Sequence, residues 1–136
     1  MGQTAAEKLA FLRELDPDIP DIYADVGRCG WEPDGLDVVP DTVVLFPYVW
    51  GWPPRLQCVD LTAIGDYHDW LYFWAPMSRR EADEAFLILL HRAAERYRGV
   101  NRWRLRRMSN VAFDAVRAFG KGHYDRMGLR DGSWGV

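Results

Sequence analysis

A chain of 136 residues, 49% hydrophobic and 27% charged, has the size of one domain and enough apolar residues to build a core, which excludes wholesale disorder. The formal net charge of -3 runs against the basic character expected of a nucleic-acid-binding domain, and no apolar run approaches the ~20 residues of a membrane span. Cys29 and Cys58 are too few for a disulfide framework and lack C-x-x-C spacing, so they read as free or half-buried thiols that bridge only if they meet in space.

The two halves differ in charge: residues 1–69 hold 13 acids and 4 bases, residues 70–136 hold 7 acids and 13 bases. The simplest expectation is an internal one, an acidic N-terminal half packed beside a basic C-terminal half. The N-terminal stretch M-G-Q-T-A-A-E-K-L-A carries Glu7 and Lys8 where a signal peptide would be apolar, so the expectation is a soluble chain made in the cytoplasm.

Along the chain, T-A-A-E from Thr4 to Glu7 has the form of a capping box, and Leu9, Phe11, Leu12 and Leu15 give the helix behind it an apolar face. Asp16-Pro17 ends that helix, because a residue before proline avoids helical backbone angles. Residues 16–42 are acidic and too rich in Pro and Gly for long regular elements. From Val43 to Trp52 the β-branched and aromatic content favours an extended segment in which Val44, Phe46, Tyr48, Trp50 and Trp52 alternate onto one face. Pro47 confines any such strand to an edge. Either this aromatic face packs on the helices, or Phe46, Tyr48, Trp50 and Trp52 meet a partner or a lipid interface.

From Leu61 to Trp74 the spacing becomes helical, and Pro76 breaks it. Ser78 to Glu81 is a second capping box, opening a helix whose stripe is Ala82, Phe86, Leu89, Leu90, Ala93, Ala94 and Tyr97, with Gly99 as its expected stop. A last helix is predicted from about Arg102 to Phe119, with Leu105, Met108, Ala112, Val116 and Phe119 inside and Gly120 as stop. These segments predict a single mainly helical α+β domain: an N-terminal helix and acidic loop region (1–42), an extended aromatic segment, strand or hairpin, packed on one side (43–60), a helical core (61–120) and an irregular tail (121–136). About four helices are expected, with Leu71, Phe86, Leu90, Val116 and Phe119 in the core.

One constellation carries titratable groups in core-like sequence. His68 and Tyr72 lie four residues apart on one helix face, and Asp83 opens the next helix at the edge of its buried stripe. If the two helices fold back on each other at Pro76, Asp83 and Tyr72 come near His68. A carboxylate on an imidazole nitrogen fixes its tautomer and raises its basicity, so His68 can then activate a water. Asp69, turned about 100° away, offers a carboxylate to a hard cation such as calcium. The alternative is a buried hydrogen-bonded cluster that pins two helices together. Elsewhere, R-W-R-L-R-R from Arg102 to Arg107 reads as a solvated face meeting the acidic half, and no zinc spacing, P-loop or dinucleotide fingerprint is present.

The blocks H-D-W-L-Y, S-R-R-E-A-D-E-A-F and F-D-A-V-R-A-F-G, in this order, resemble a phage- and prophage-borne family of small proteins, domain of unknown function family 1353, over about residues 60–120. More distantly they are similar to secreted phospholipases of the A-two type, especially the compact viral ones. That second resemblance implies His68 as base, Asp69 as calcium ligand, Asp83 as orienting carboxylate and Tyr72 as support. Together they imply a phage-encoded protein with a phospholipase-like site, a calcium-dependent ester hydrolase acting in the cytoplasm of a bacterial host or in the phage particle. The other reading is a non-enzymatic accessory protein, a virion component or an inhibitor that binds a host or phage protein. No Gly-rich calcium loop precedes His68.

Overall fold

The structure, a computed structural model, describes residues 3–33, 35, 42–45, 58–74 and 77–126. They form four α-helices, two short 3₁₀ turns and a two-stranded antiparallel sheet. None of these helices is long and apolar enough to cross a membrane.

Helix α1 spans Ala5–Leu15. Its expected capping box is formed: the Glu7 amide donates to the Thr4 hydroxyl at 3.1 Å and the Thr4 amide to Glu7 Oε1 at 3.4 Å. Asp16, extended before Pro17, ends the helix. Arg92 then donates to the Leu15 carbonyl at 3.1 Å, filling one of the acceptors a helix end leaves open. The acidic stretch that follows is not featureless. It turns through Ile22–Asp25 and Arg28–Gly30, and Ile19, Ile22 and Trp31 plug into the core.

Strand β1, Thr42–Val44, pairs with β2, Cys58–Asp60, so that Val43 faces Val59 and both are buried. Phe46, Tyr48, Trp50 and Trp52, the rest of the expected aromatic face, lie outside the described residues. Cys29 and Cys58 are both exposed and unbridged.

Helix α2 spans Thr62–Trp74, α3 spans Arg79–Ala94 and α4 spans Gly99–Arg126. The Ser78 capping box opens α3, with the Glu81 amide on the Ser78 hydroxyl at 3.1 Å. Helix α3 is central, packed against α1, α2 and α4. Phe86, Leu89 and Leu90 from α3 meet Leu12, Ile64, Leu105, Ala112 and Val116 in one core. Leu71, Tyr72 and Ala82 form a smaller cluster, with Met77 and Tyr124 against it.

Three expectations are corrected. Gly99 does not stop α3, which ends at Ala94; it starts α4 with φ of 60°, the left-handed region where glycine is favoured and the chain can reverse. Gly120 does not stop the last helix, which runs on to Arg126. Its missing Cβ is a packing device: a Cβ there would lie 2.9 Å from the Tyr72 hydroxyl. Phe119 is 82% exposed, because at this end of α4 the inward line runs through Val116 and Gly120, and Phe119 stands on the neighbouring ridge.

Ion pairs form both between the two halves and within them. Arg96–Glu14, at 3.0 Å, pairs the basic half with the acidic one. Lys8–Asp66 and Arg28–Asp25 pair within the first half, and Arg117–Asp83, Arg80–Glu84 and Arg106–Glu95 within the second.

Candidate functional site

Three helices converge on one carboxylate. His68 and Tyr72, one turn apart on α2, present their polar atoms to α3, where Asp83 sits in the first turns with 0% exposure. Asp83 Oδ1 accepts from His68 Nε2 at 2.8 Å and from the Tyr72 hydroxyl at 2.5 Å. Its other oxygen, Oδ2, accepts from Arg117 Nη1 of α4 at 2.9 Å, with Arg79 Nη1 3.7 Å away. The Arg79 guanidinium also donates to the Val116 carbonyl at 3.1 Å, tying the start of α3 to α4. The imidazole is held between rings, with centroids 4.3 Å from Tyr72 and 4.5 Å from Phe86. Tyr124 closes the side near Tyr72, edge-on at 5.1 Å, and donates to the Met77 carbonyl at 2.9 Å.

The electrostatics follow from this geometry. Burial by itself pushes the Asp83 carboxyl up, but hydrogen bonds from His68, Tyr72 and Arg117 outweigh it and hold Asp83 below its ordinary value. Asp83 is therefore ionised at neutral pH, and His68 Nε2 carries the proton it donates. Burial, then the hydrogen bond to Asp83 and its charge, push the Tyr72 phenol well above its ordinary value, with Arg79 pulling weakly the other way. Tyr72 stays a neutral donor.

The sequence placed His68, Tyr72 and Asp83 together, and the structure brings them into contact. Asp69 is a different case. It is 6% exposed and already engaged within the protein. Among the described residues no group of three His, Cys, Asp or Glu side chains comes together to hold a metal ion.

Sequence reasoning missed the two arginines. Arg117 follows Val116 on the buried edge of α4, and Arg79 stands one helical turn before Asp83; an arginine beside a core stripe was the available signal. It also missed a second buried carboxylate. Asp66, 1% exposed on α2, accepts from the Tyr23 hydroxyl at 2.8 Å, from Lys8 at 3.2 Å and from the Gly35 amide at 2.9 Å. One turn on, Trp70 Nε1 donates to Asp25 at 2.9 Å. These bonds clamp the acidic N-terminal region onto α2. Burial and then the Asp66 hydrogen bond push the Tyr23 phenol far up.

Away from this cluster, His91 meets Asn110 at 3.0 Å. Within R-W-R-L-R-R, Arg102 and Arg106 pair with Glu95, Arg104 donates to the Val44 carbonyl at 2.6 Å, and Arg107 lies over the Trp103 ring. Comparison of the chain with protein-family models, curated proteins and solved structures finds no match.

Proposed function

We propose that this protein works by binding another protein and that His68, Asp83 and Tyr72 form a polar staple of its core rather than a catalytic site. One observation carries the reading: the Asp83 carboxylate is wholly buried and both its oxygens are taken, by groups from α2, α3 and α4. A carboxylate that serves a general base must lend its charge to the imidazole. Here two guanidiniums share that charge. The same arrangement suits a staple, since a buried charge is tolerated when it is paired and its lone pairs are filled. The accessory-protein class inferred from the sequence accommodates this reading without a catalytic step.

The test uses the full chain and phospholipid vesicles with calcium. No fatty acid release above background is expected from the wild type, and Asp83→Asn and His68→Gln are expected to lower the melting temperature. Calcium-dependent lipid hydrolysis that disappears in His68→Gln at unchanged stability overturns the proposal.

A second reading, a phospholipase-like ester hydrolase, is favoured by one specific feature. His68 uses Nε2 toward Asp83, and Tyr72 shares that carboxylate oxygen. In that reading the other ring nitrogen, Nδ1, deprotonates a water. Hydrolysis in that reading runs on His68 alone, with Asp83 and Tyr72 as positioning residues.

A further inference from the structure

Helix α4 carries a face with large apolar side chains left exposed. Val100, Trp103 and Val111 are 52%, 60% and 54% exposed. With Arg107 they follow helical spacing, so all four lie on one side of the helix. An exposed tryptophan in this position stabilises nothing in the core, and contiguous exposed apolar side chains mark interaction surfaces. The Arg107 guanidinium sits over the Trp103 ring, 5.7 Å from its centroid, and the two form a ridge.

The flanks of the ridge differ in chemistry. On one side is a concavity of about 330 Å³ bordered by Arg102, Arg106, Arg107 and Asn110. On the other is one of about 310 Å³ bordered by Val43, Met108 and Val111 beside Trp103, with Arg104 and Arg107 at its edge. The basic flank is under-neutralised. Arg102 and Arg106 share a single carboxylate, Glu95, at 3.6 and 3.0 Å, and Arg107 has no ion pair among the described residues. The Glu95 pairs are exposed, and exposed pairs hold their partners weakly. A ligand that fits both flanks must carry carboxylates next to apolar side chains.

We propose that the Trp103–Arg107 ridge docks an acidic amphipathic segment of a partner protein. Its carboxylates meet Arg106 and Arg107, and an apolar side chain enters the Val43–Met108–Val111 flank. A nucleic acid satisfies only the basic flank, and a chain of net charge -3 repels it at long range. Tryptophan and arginine are also the side chains that most often dominate protein–protein affinity. The proposal rests on the binding reading above and names the surface and the partner chemistry for it.

The experiment measures fluorescence anisotropy of a labelled helix-forming peptide of glutamate and leucine, titrated with the full chain. A lysine-for-glutamate peptide and a single-stranded oligonucleotide serve as parallel probes. Saturable binding of the acidic peptide is expected, weakening with added salt and falling about tenfold or more in Trp103→Ala and in Arg107→Glu. Both side chains are exposed, so both variants keep the fold. Failure of the acidic peptide to bind, equal binding of the lysine peptide, preference for the oligonucleotide, or unchanged affinity in both variants overturns the proposal. So does a wild-type dimer in sedimentation that Trp103→Ala dissociates, since the face then belongs to a second copy. Absence of peptide binding in a chain without lipid hydrolysis sinks this proposal alone; calcium-dependent hydrolysis sinks the reading on which it rests.

Discussion

Asp83→Asn separates a structural staple from a catalytic pair. The substitution keeps the shape of the side chain and removes its charge. The oxygen facing α2 still accepts from Tyr72 and His68, but an NH₂ group replaces Oδ2 and now faces the Arg117 donor that stood 2.9 Å away. Removing one member of a buried ion pair costs about 3–5 kcal/mol. Two features place this case at the lower end: Arg117 and Arg79 keep 30% and 18% of their side chains exposed and can turn to water, and two of the hydrogen bonds survive. The expected loss is about 3 kcal/mol. For a domain of 136 residues that corresponds to a fall of roughly 10 °C in melting temperature. Thermal unfolding followed by circular dichroism reads the shift, and urea unfolding with an unchanged slope confirms that the native state itself lost stability. A loss below about 1 kcal/mol, within the range of ordinary surface pairs, refutes the staple.

The same site sets a pH dependence. Burial raises the Asp83 carboxyl, its hydrogen bonds outweigh that, and its folded value is lowered. The contribution is then fully present above the unfolded carboxylate value of about 4 and is lost as pH falls through the folded value. Acid titration of Asp83→Asn should show a shallower loss below pH ~4 than the wild type, and parallel curves would contradict this. On the alkaline side, burial and then the Asp83 and Asp66 contacts raise Tyr72 and Tyr23. Their stabilisation holds below the unfolded phenol value of about 10 and is lost as pH rises through the folded value. The tyrosinate absorbance that Tyr23→Phe and Tyr72→Phe remove should therefore rise together with unfolding in the wild type rather than before it. Gly120→Ala, whose Cβ would stand 2.9 Å from the Tyr72 hydroxyl, should destabilise by about 1–3 kcal/mol although alanine is the better helix former; the double variant with Tyr72→Phe should recover part of that loss in urea unfolding. Leu90→Ala, at a position 1% exposed, should cost about 2–5 kcal/mol, whereas Phe119→Ala, at 82% exposure, should stay within about 0.5 kcal/mol by the same assay.

Local physics made much of this protein legible from its residues. The capping boxes at Thr4 and Ser78, the break at Asp16-Pro17 and the stripes through Phe86, Leu90 and Val116 depend on neighbours within a turn or two. The meeting of His68 and Tyr72 with Asp83 was legible for a related reason: two successive helices, each with its polar group on a core-facing edge, have few ways to pack. Tertiary structure alone decided what α4 does. Gly120 and Gly99 look alike in sequence, yet one lets Tyr72 approach and the other reverses the chain. Arg117 and Arg79 acquired a role only where α4 crossed α3 and brought their guanidiniums onto Asp83. Asp66 gained its role only when Tyr23, Lys8 and Gly35, far away along the chain, closed over it. Periodicity reports which face of a helix is buried; which distant side chain fills a buried carboxylate's lone pairs is set by packing between elements, and a sequence window does not contain it.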